Sequence, residues 1–153
     1  MTLKALQQTA KVWRLKGDMV VFTNGCFDIL HPGHLQILLA AAQEGNRLIV
    51  GLNSDASVKR LKGEHRPVLH EQDRAMMLAA QLFVDAVVIF EEDTPIDLIT
   101  TLMPDVLLKG GDYQENQIVG ADLVKNHGGR VVVVPLKEGY STTKLIDTIK
   151  KAN

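Results

Sequence analysis

Apolar positions along this chain of 153 residues fall into two patterns that alternate. Short unbroken apolar or β-branched runs occupy residues 19–23, 48–52, 86–90, 106–108 and 131–134. They are continuous rather than every-second-residue, as expected of strands covered on both faces. Between them, apolar residues recur at helical spacing: Leu35, Leu38, Leu39 and Ala42; then Met77, Leu78 and Leu82; then Ile96, Ile99 and Leu102. Leu3, Leu6, Ala10 and Trp13 predict one more helix ahead of the first strand. This order predicts an α/β architecture: a doubly wound parallel sheet of about five strands with helices on both faces, in one domain over residues 1–153. Right-handed crossovers then put ligands at the carboxyl ends of the strands, near a switch in strand order. Residues 59–70 are the least regular stretch. They are basic (Lys59, Arg60, Lys62, Arg66), hold Gly63 and Pro67, and read as a mobile flap.

Composition adds mostly exclusions. Net charge is −1, from 17 Lys+Arg against 18 Asp+Glu, which gives no electrostatic case for nucleic acid or an acidic membrane surface. An anionic ligand must therefore be met by local groups. Cys26 is the one cysteine, so no internal disulfide forms. No apolar run reaches bilayer length and the N-terminus carries no secretory h-region, so a cytoplasmic location is expected.

The chemistry concentrates after the first strand, in Thr23-Asn24-Gly25-Cys26-Phe27-Asp28-Ile29-Leu30-His31-Pro32-Gly33-His34. Gly25 allows close backbone approach or an unusual dihedral. Pro32 suits a first helical turn, where its missing N–H is no loss. A helix start after a strand is an anion site, and His31 and His34, three residues apart, set two imidazoles on one face beside it. Two histidines at this spacing also suit half a zinc site. No cysteine or carboxylate stands at ligand spacing on the same helix, although Asp28 is close, and no protein-bound metal is assigned. The glycine fingerprints of dinucleotide oxidoreductases and P-loop enzymes are absent.

The pattern Gly25-x-Phe27-Asp28-x-x-His31-x-Gly33-His34 resembles the signature of the cytidylyltransferase-like nucleotidyltransferases, whose sheet is Rossmann-like. Gly139-Tyr140-Ser141-Thr142-Thr143-Lys144 resembles their second signature, a hydroxyl-rich helix start. Further matches at residues 51–55, 73–74, 84–85, 104–113 and 118–122 extend the resemblance over nearly the whole chain, toward the adenylyltransferases of D-glycero-D-manno-heptose 1-phosphate. In some bacteria that domain is fused behind a sugar kinase.

The resemblance implies that a sugar 1-phosphate attacks the α-phosphorus of ATP, with Mg²⁺, and releases pyrophosphate to give ADP-heptose for lipopolysaccharide or a related glycan. His31 and His34 are then charge-stabilising donors, joined as a catalytic residue by Lys59. Thr23, Asn24, Gly25, Cys26, Phe27 and Gly33 hold the nucleotide, as do Lys109, Gly111 and Asp112 after the fourth strand, and Ser141, Thr142 and Thr143 at the last helix. Asp28, Asn53, Asp55, Lys62, Arg66 and Arg74 face the acceptor, and Asp28 is also placed to help hold Mg²⁺. Each has a plainer reading: core packing for Phe27, loop orientation or a turn for Asp28, a first-turn helix charge for Asp55, an αL turn at Lys109–Asp112, a solvated basic loop for Lys59 and Lys62, an exposed helix charge for Arg74, an ordinary cap for Ser141. Lys144 supplies charge where the signature often has Arg, but without a bidentate fork.

Two other functions fit parts of the pattern. A cytidylyltransferase for glycerol 3-phosphate or a similar polyol phosphate usually carries Arg shortly before its Ser-Thr-Thr segment; here the stretch is Pro135-Leu136-Lys137-Glu138, with Leu136 in that place. A non-catalytic nucleotide-binding module needs neither both histidines nor the second helix start. Relatives suggest a homodimer and a functional link to a separate sugar kinase.

Overall fold

The computed structural model describes residues 1–136 and 139–152; Lys137 and Glu138, within the stretch just compared with cytidylyltransferases, lie outside the described residues. Five parallel strands, β1 (Val20–Gly25), β2 (Arg47–Asn53), β3 (Ala86–Phe90), β4 (Val106–Gly110) and β5 (Arg130–Val134), form one sheet in the order β3-β2-β1-β4-β5. The chain builds outward from β1 to one edge, then returns across the sheet to start β4 on the other side of β1. The order reverses there, so the carboxyl ends of β1 and β4 open a crevice.

Strand periodicity of two divides the core. Val20 and Phe22 of β1 face one side, with Leu6 and Ala10 of α1 (Leu3–Leu15), Leu98, Ile99 and Leu102 of α5 (Ile96–Leu102), and Ala121 and Val124 of α6 (Ala121–Asn126). Val21 faces the other, with Leu38 and Ala41 of α2 (Pro32–Gln43) and Leu78 of α4 (Glu71–Ala79). Both faces of every strand meet apolar partners, which is why the runs are continuous rather than alternating. All five runs expected as strands are strands.

Two helical expectations change. Residues 55–62 form helix α3 (Asp55–Lys62), started by Ser54, whose Oγ accepts from Ser57 N at 3.1 Å, and stopped by Gly63 at φ +102°. Lys59, Arg60 and Lys62 therefore stand on a helix rather than in a flap. Leu82 does not continue α4. The chain turns at Gln81, whose N–H donates to the Leu78 carbonyl, and Leu82 is fully exposed while Leu78 is buried. The last helix, α7 (Thr142–Lys151), carries Leu145, Ile146 and Ile149 on one side yet buries none of its residues. No described helix is long and apolar enough to cross a membrane.

Candidate active site

A cleft of about 640 Å³ opens at the carboxyl ends of the strands. Its floor is the chain leaving β1. Gly25 packs under Phe27, whose ring would lie 3.1 Å from any Cβ at position 25. Phe27 takes φ +43°, a left-handed conformation uncommon outside glycine, and its buried ring belongs to the core on the α2 side. The two readings of Phe27 thus coexist: its side chain is core, and its backbone makes the turn that brings the following residues to the cleft.

His31 is the N-cap of α2. Its Nδ1 accepts from Gly33 N at 3.1 Å and, more distantly, His34 N at 3.4 Å. A cap accepting through Nδ1 fixes the neutral ring with its proton on Nε2. This revises the expectation for the helix start, because the N–H groups expected to cradle phosphate are engaged by the imidazole. What the helix start offers a ligand is its dipole and the Nε2–H of His31. Gly33 is required for this packing, since a Cβ there would come within 2.9 Å of the His31 ring.

His34 stacks on His31 with ring centroids 3.7 Å apart and 21° between planes, while Phe27 meets its edge at 5.2 Å. Burial, with the His31 ring adding to it, pushes the His34 pKa down to about 4; burial also lowers that of His31. His34 Nδ1 is buried without a hydrogen-bond partner among the described residues.

Ser141, Thr142 and Thr143 at the start of α7 line the same cleft, and Ser141 Oγ accepts from Lys144 N at 3.1 Å. The Tyr140 ring lies 6.3 Å from that of His31, nearly parallel to it. Lys109 reaches under Asn24 with Nζ 3.2 Å from Oδ1, and burial lowers its pKa. Burial raises that of the Cys26 thiol. Thr23, Asn24, Cys26, Asn53, Lys62 and Arg66 also line the cleft.

Several expected site residues stand elsewhere or are already engaged. Lys59 lies outside the cleft although Lys62, one turn on, lines it. Gly111 and Asp112 are outside too; Gly111, at φ +136°, lets the Tyr113 ring fold over it and into the wall. Asp55 does not face the cleft: it pairs with Arg74 Nη2 at 2.7 Å and His70 Nδ1 at 3.4 Å. Burial pushes its carboxyl up, but the hydrogen bonds from Arg74 and its neighbours together hold it below the usual range. Arg74 is neither exposed nor turned to a ligand. Its wholly buried guanidinium donates to the carbonyls of Cys26 (2.6 Å), Asn53 (2.9 Å) and Leu69 (3.0 Å), joining the chain after β1, the end of β2 and the approach to α4. Asp28 is buried, with its oxygens accepting from Arg66, Val68 and Leu69. Asn53 donates Nδ2 to Ser57 Oγ at 3.0 Å.

The wall residues Asp93, Thr94 and Pro95 after β3, Gln117 to Val119 before α6, and Tyr140 after β5 carried no expected role, and Leu136 stood only as the departure from the cytidylyltransferase pattern. Their signal was positional, because each follows a strand of a parallel sheet whose carboxyl ends form the site.

Residues 22–148 match the model of the family described as cytidylyltransferase-like. The chain belongs to that family. Among its relatives, the bifunctional protein HldE of Gluconobacter oxydans (strain 621H) is 54% identical over 153 residues, 98% of this chain and 32% of that protein. The protein of the same name from Magnetococcus marinus is 57% identical over 145 residues, 95% of this chain and 30% of that one. The chain thus spans about a third of the length of the curated relatives it matches. The crystal structure of the lipopolysaccharide core biosynthesis protein from Thermoplasma volcanium GSS1 superposes with a TM-score of 0.63 at 26% identity, covering 82% of this chain and all of that one. The sheet order and the stacked histidines described above are therefore those of a cytidylyltransferase-like chain.

Proposed function

We propose that the chain is an adenylyltransferase that transfers AMP from ATP to D-glycero-β-D-manno-heptose 1-phosphate, giving ADP-heptose and pyrophosphate. The observation that carries this reading is the meeting of two helix starts at one cleft, with stacked His31 and His34 at one and Ser141 to Thr143 at the other, in a chain more than half identical to about a third of the HldE proteins.

The chemistry needs no general base. A sugar 1-phosphate has a second pKa of about 6 and is largely dianionic at neutral pH. The demand is for alignment and for neutralising charge on the transferring phosphoryl group and the departing pyrophosphate. In this reading the Nε2–H of His31 donates to a phosphate oxygen. His34, neutral in the free cleft, takes up a proton as the triphosphate settles beside it. Lys62, Arg66 and Lys109 supply the remaining positive charge, and the hydroxyls of α7 hold the polyphosphate tail. Lys109, Asn24 and the wall around Tyr113 and Leu136 border the base. Mg²⁺ enters as the ATP complex. Asp28 is not offered as its ligand, because its oxygens are taken by Arg66 and two backbone N–H groups. The relatives are bifunctional and two-thirds of each lies outside the match, which supports a sugar kinase as the supplier of the 1-phosphate.

The test is pyrophosphate release with ATP or CTP against a panel of sugar 1-phosphates and polyol phosphates. Turnover is expected with ATP and the heptose 1-phosphate. Preference for CTP with glycerol 3-phosphate, or nucleotide binding without release from any pair, overturns the reading.

A further inference from the structure

We propose that Asp28 is a positioning residue, one that aims the guanidinium of Arg66 at a phosphate group of the reactants. The inference rests on the nucleotidyl-transfer reading and names a device within it.

The Asp28 side chain is wholly buried. Its Oδ2 accepts from Arg66 Nε at 2.5 Å, and its Oδ1 accepts from the backbone N–H groups of Val68 at 2.7 Å and Leu69 at 3.1 Å. The two backbone donors fix the carboxylate under residues 66–69, and the carboxylate in turn fixes the back edge of the guanidinium. A neutral amide would satisfy two N–H groups equally well. A buried negative charge is costly without a cation to face it, so the need for a carboxylate at position 28 lies in Arg66.

Arg66 lines the cleft, and its terminal nitrogens have no hydrogen-bond partner among the described residues. Held by Nε alone, the group presents Nη1 and Nη2 together as a fork. That geometry matches two oxygens of one phosphate, which a lysine cannot grip in the same way. Lys62 and Thr143 border the same space, so the fork reaches either the acceptor phosphate or the pyrophosphate end of the nucleotide.

The test uses the full chain with ATP and D-glycero-β-D-manno-heptose 1-phosphate. KM is measured for both, together with the inhibition constant of inorganic pyrophosphate, in wild type, Arg66→Gln, Asp28→Asn and the double variant. Loss of a charge-assisted contact of this kind is worth about tenfold or more in one constant. Arg66→Gln raises the acceptor KM by that factor if the fork holds the acceptor, or the pyrophosphate constant if it holds the leaving group. Asp28→Asn moves the same constant, and the double variant is no worse than Arg66→Gln alone. Both constants unchanged in Arg66→Gln, or single effects that multiply in the double variant, overturn the proposal.

If Asp28→Asn does not fold, Arg66→Lys decides. It keeps the charge but loses Nε and the fork, and it is expected to share the Arg66→Gln defect; wild-type constants overturn the proposal. Failure of wild type to turn over sinks the transfer reading instead. Calorimetry with inorganic pyrophosphate and with the heptose 1-phosphate then still tests the fork: tighter binding of either in wild type than in Arg66→Gln supports it, and equal binding of both overturns it.

Discussion

The two helix starts that line the cleft are built in opposite ways. The start of α2 is set in the core. Its cap is an aromatic ring wedged between Gly33 and His34, the helix buries Leu38 and Ala41, and the loop before it is tied down through Asp28 and through the Cys26 carbonyl. The start of α7 is capped by an ordinary serine and leads into a helix with no buried residue. One side is fixed before a ligand arrives, while the other has little packing to lose by adjusting to one. On the nucleotidyl-transfer reading the task is alignment, which is served by a rigid side that carries the donors and a less packed side that adjusts to the ligand.

The rigid side should fail at Arg74 first. Arg74→Met leaves Asp55 and three carbonyls without their cation, and a loss of about 3–5 kcal/mol in denaturant unfolding is expected; a shift within 1 kcal/mol would mean that the floor is not held as described. Next comes acid. The folded pKa of His34 lies near 4 and its unfolded value near 6.5, so the unfolded chain binds the extra proton between them. Stability is therefore constant on this account above pH 6.5, falls as the pH drops through the window, and is lower by as much as about 3 kcal/mol below pH 4. His34→Gln should flatten that part of the profile, and an unaltered slope would count against the half-buried neutral ring. Third, His34→Ala should cost about 100-fold in kcat with a smaller change in KM for ATP, as for other pre-aimed donors; equal turnover would remove the residue from the mechanism. The α7 side gives the smallest effect. Ser141→Ala should cost about 1 kcal/mol, seen as faster amide exchange confined to α7 and a weaker KM for ATP. A global loss as large as that of Arg74→Met would erase the contrast between the two starts.

The sheet was legible because its signal is collective. Five unbroken apolar runs, separated by helical spacing, leave little freedom in class or layer, and each run is a strand in the structure. The histidine loop was legible for a local reason, since strand, glycine, proline and two histidines follow one another directly. What stayed hidden depends on contacts between distant residues. Nothing near Arg74 says that it is buried, because its acceptors at Cys26 and Asn53 lie 48 and 21 residues away. A separation of 38 to 41 residues hid the tie between Asp28 and residues 66–69, so that segment read as a flap. Lys59 and Lys62 were indistinguishable as basic residues, and only their places on α3, with Lys62 at its last position, separate the one outside the cleft from the one that lines it. Leu82 misled in the opposite way, since its spacing from Leu78 fits a helix that ends first.

The cap on α2 also gives the site a directional preference among ligands. Because the peptide N–H of Gly33 occupies one nitrogen of His31, the proton pattern of the ring is written by the main chain and not by whatever enters the cleft. The nitrogen left open can give a hydrogen bond but has no lone pair to receive one. An oxygen-rich anion finds a donor there, whereas an ammonium or amide N–H meets another hydrogen. A ligand offering only donors is thus turned away at that point even where its shape would fit, and the filter is as durable as the helix whose first turn sets it.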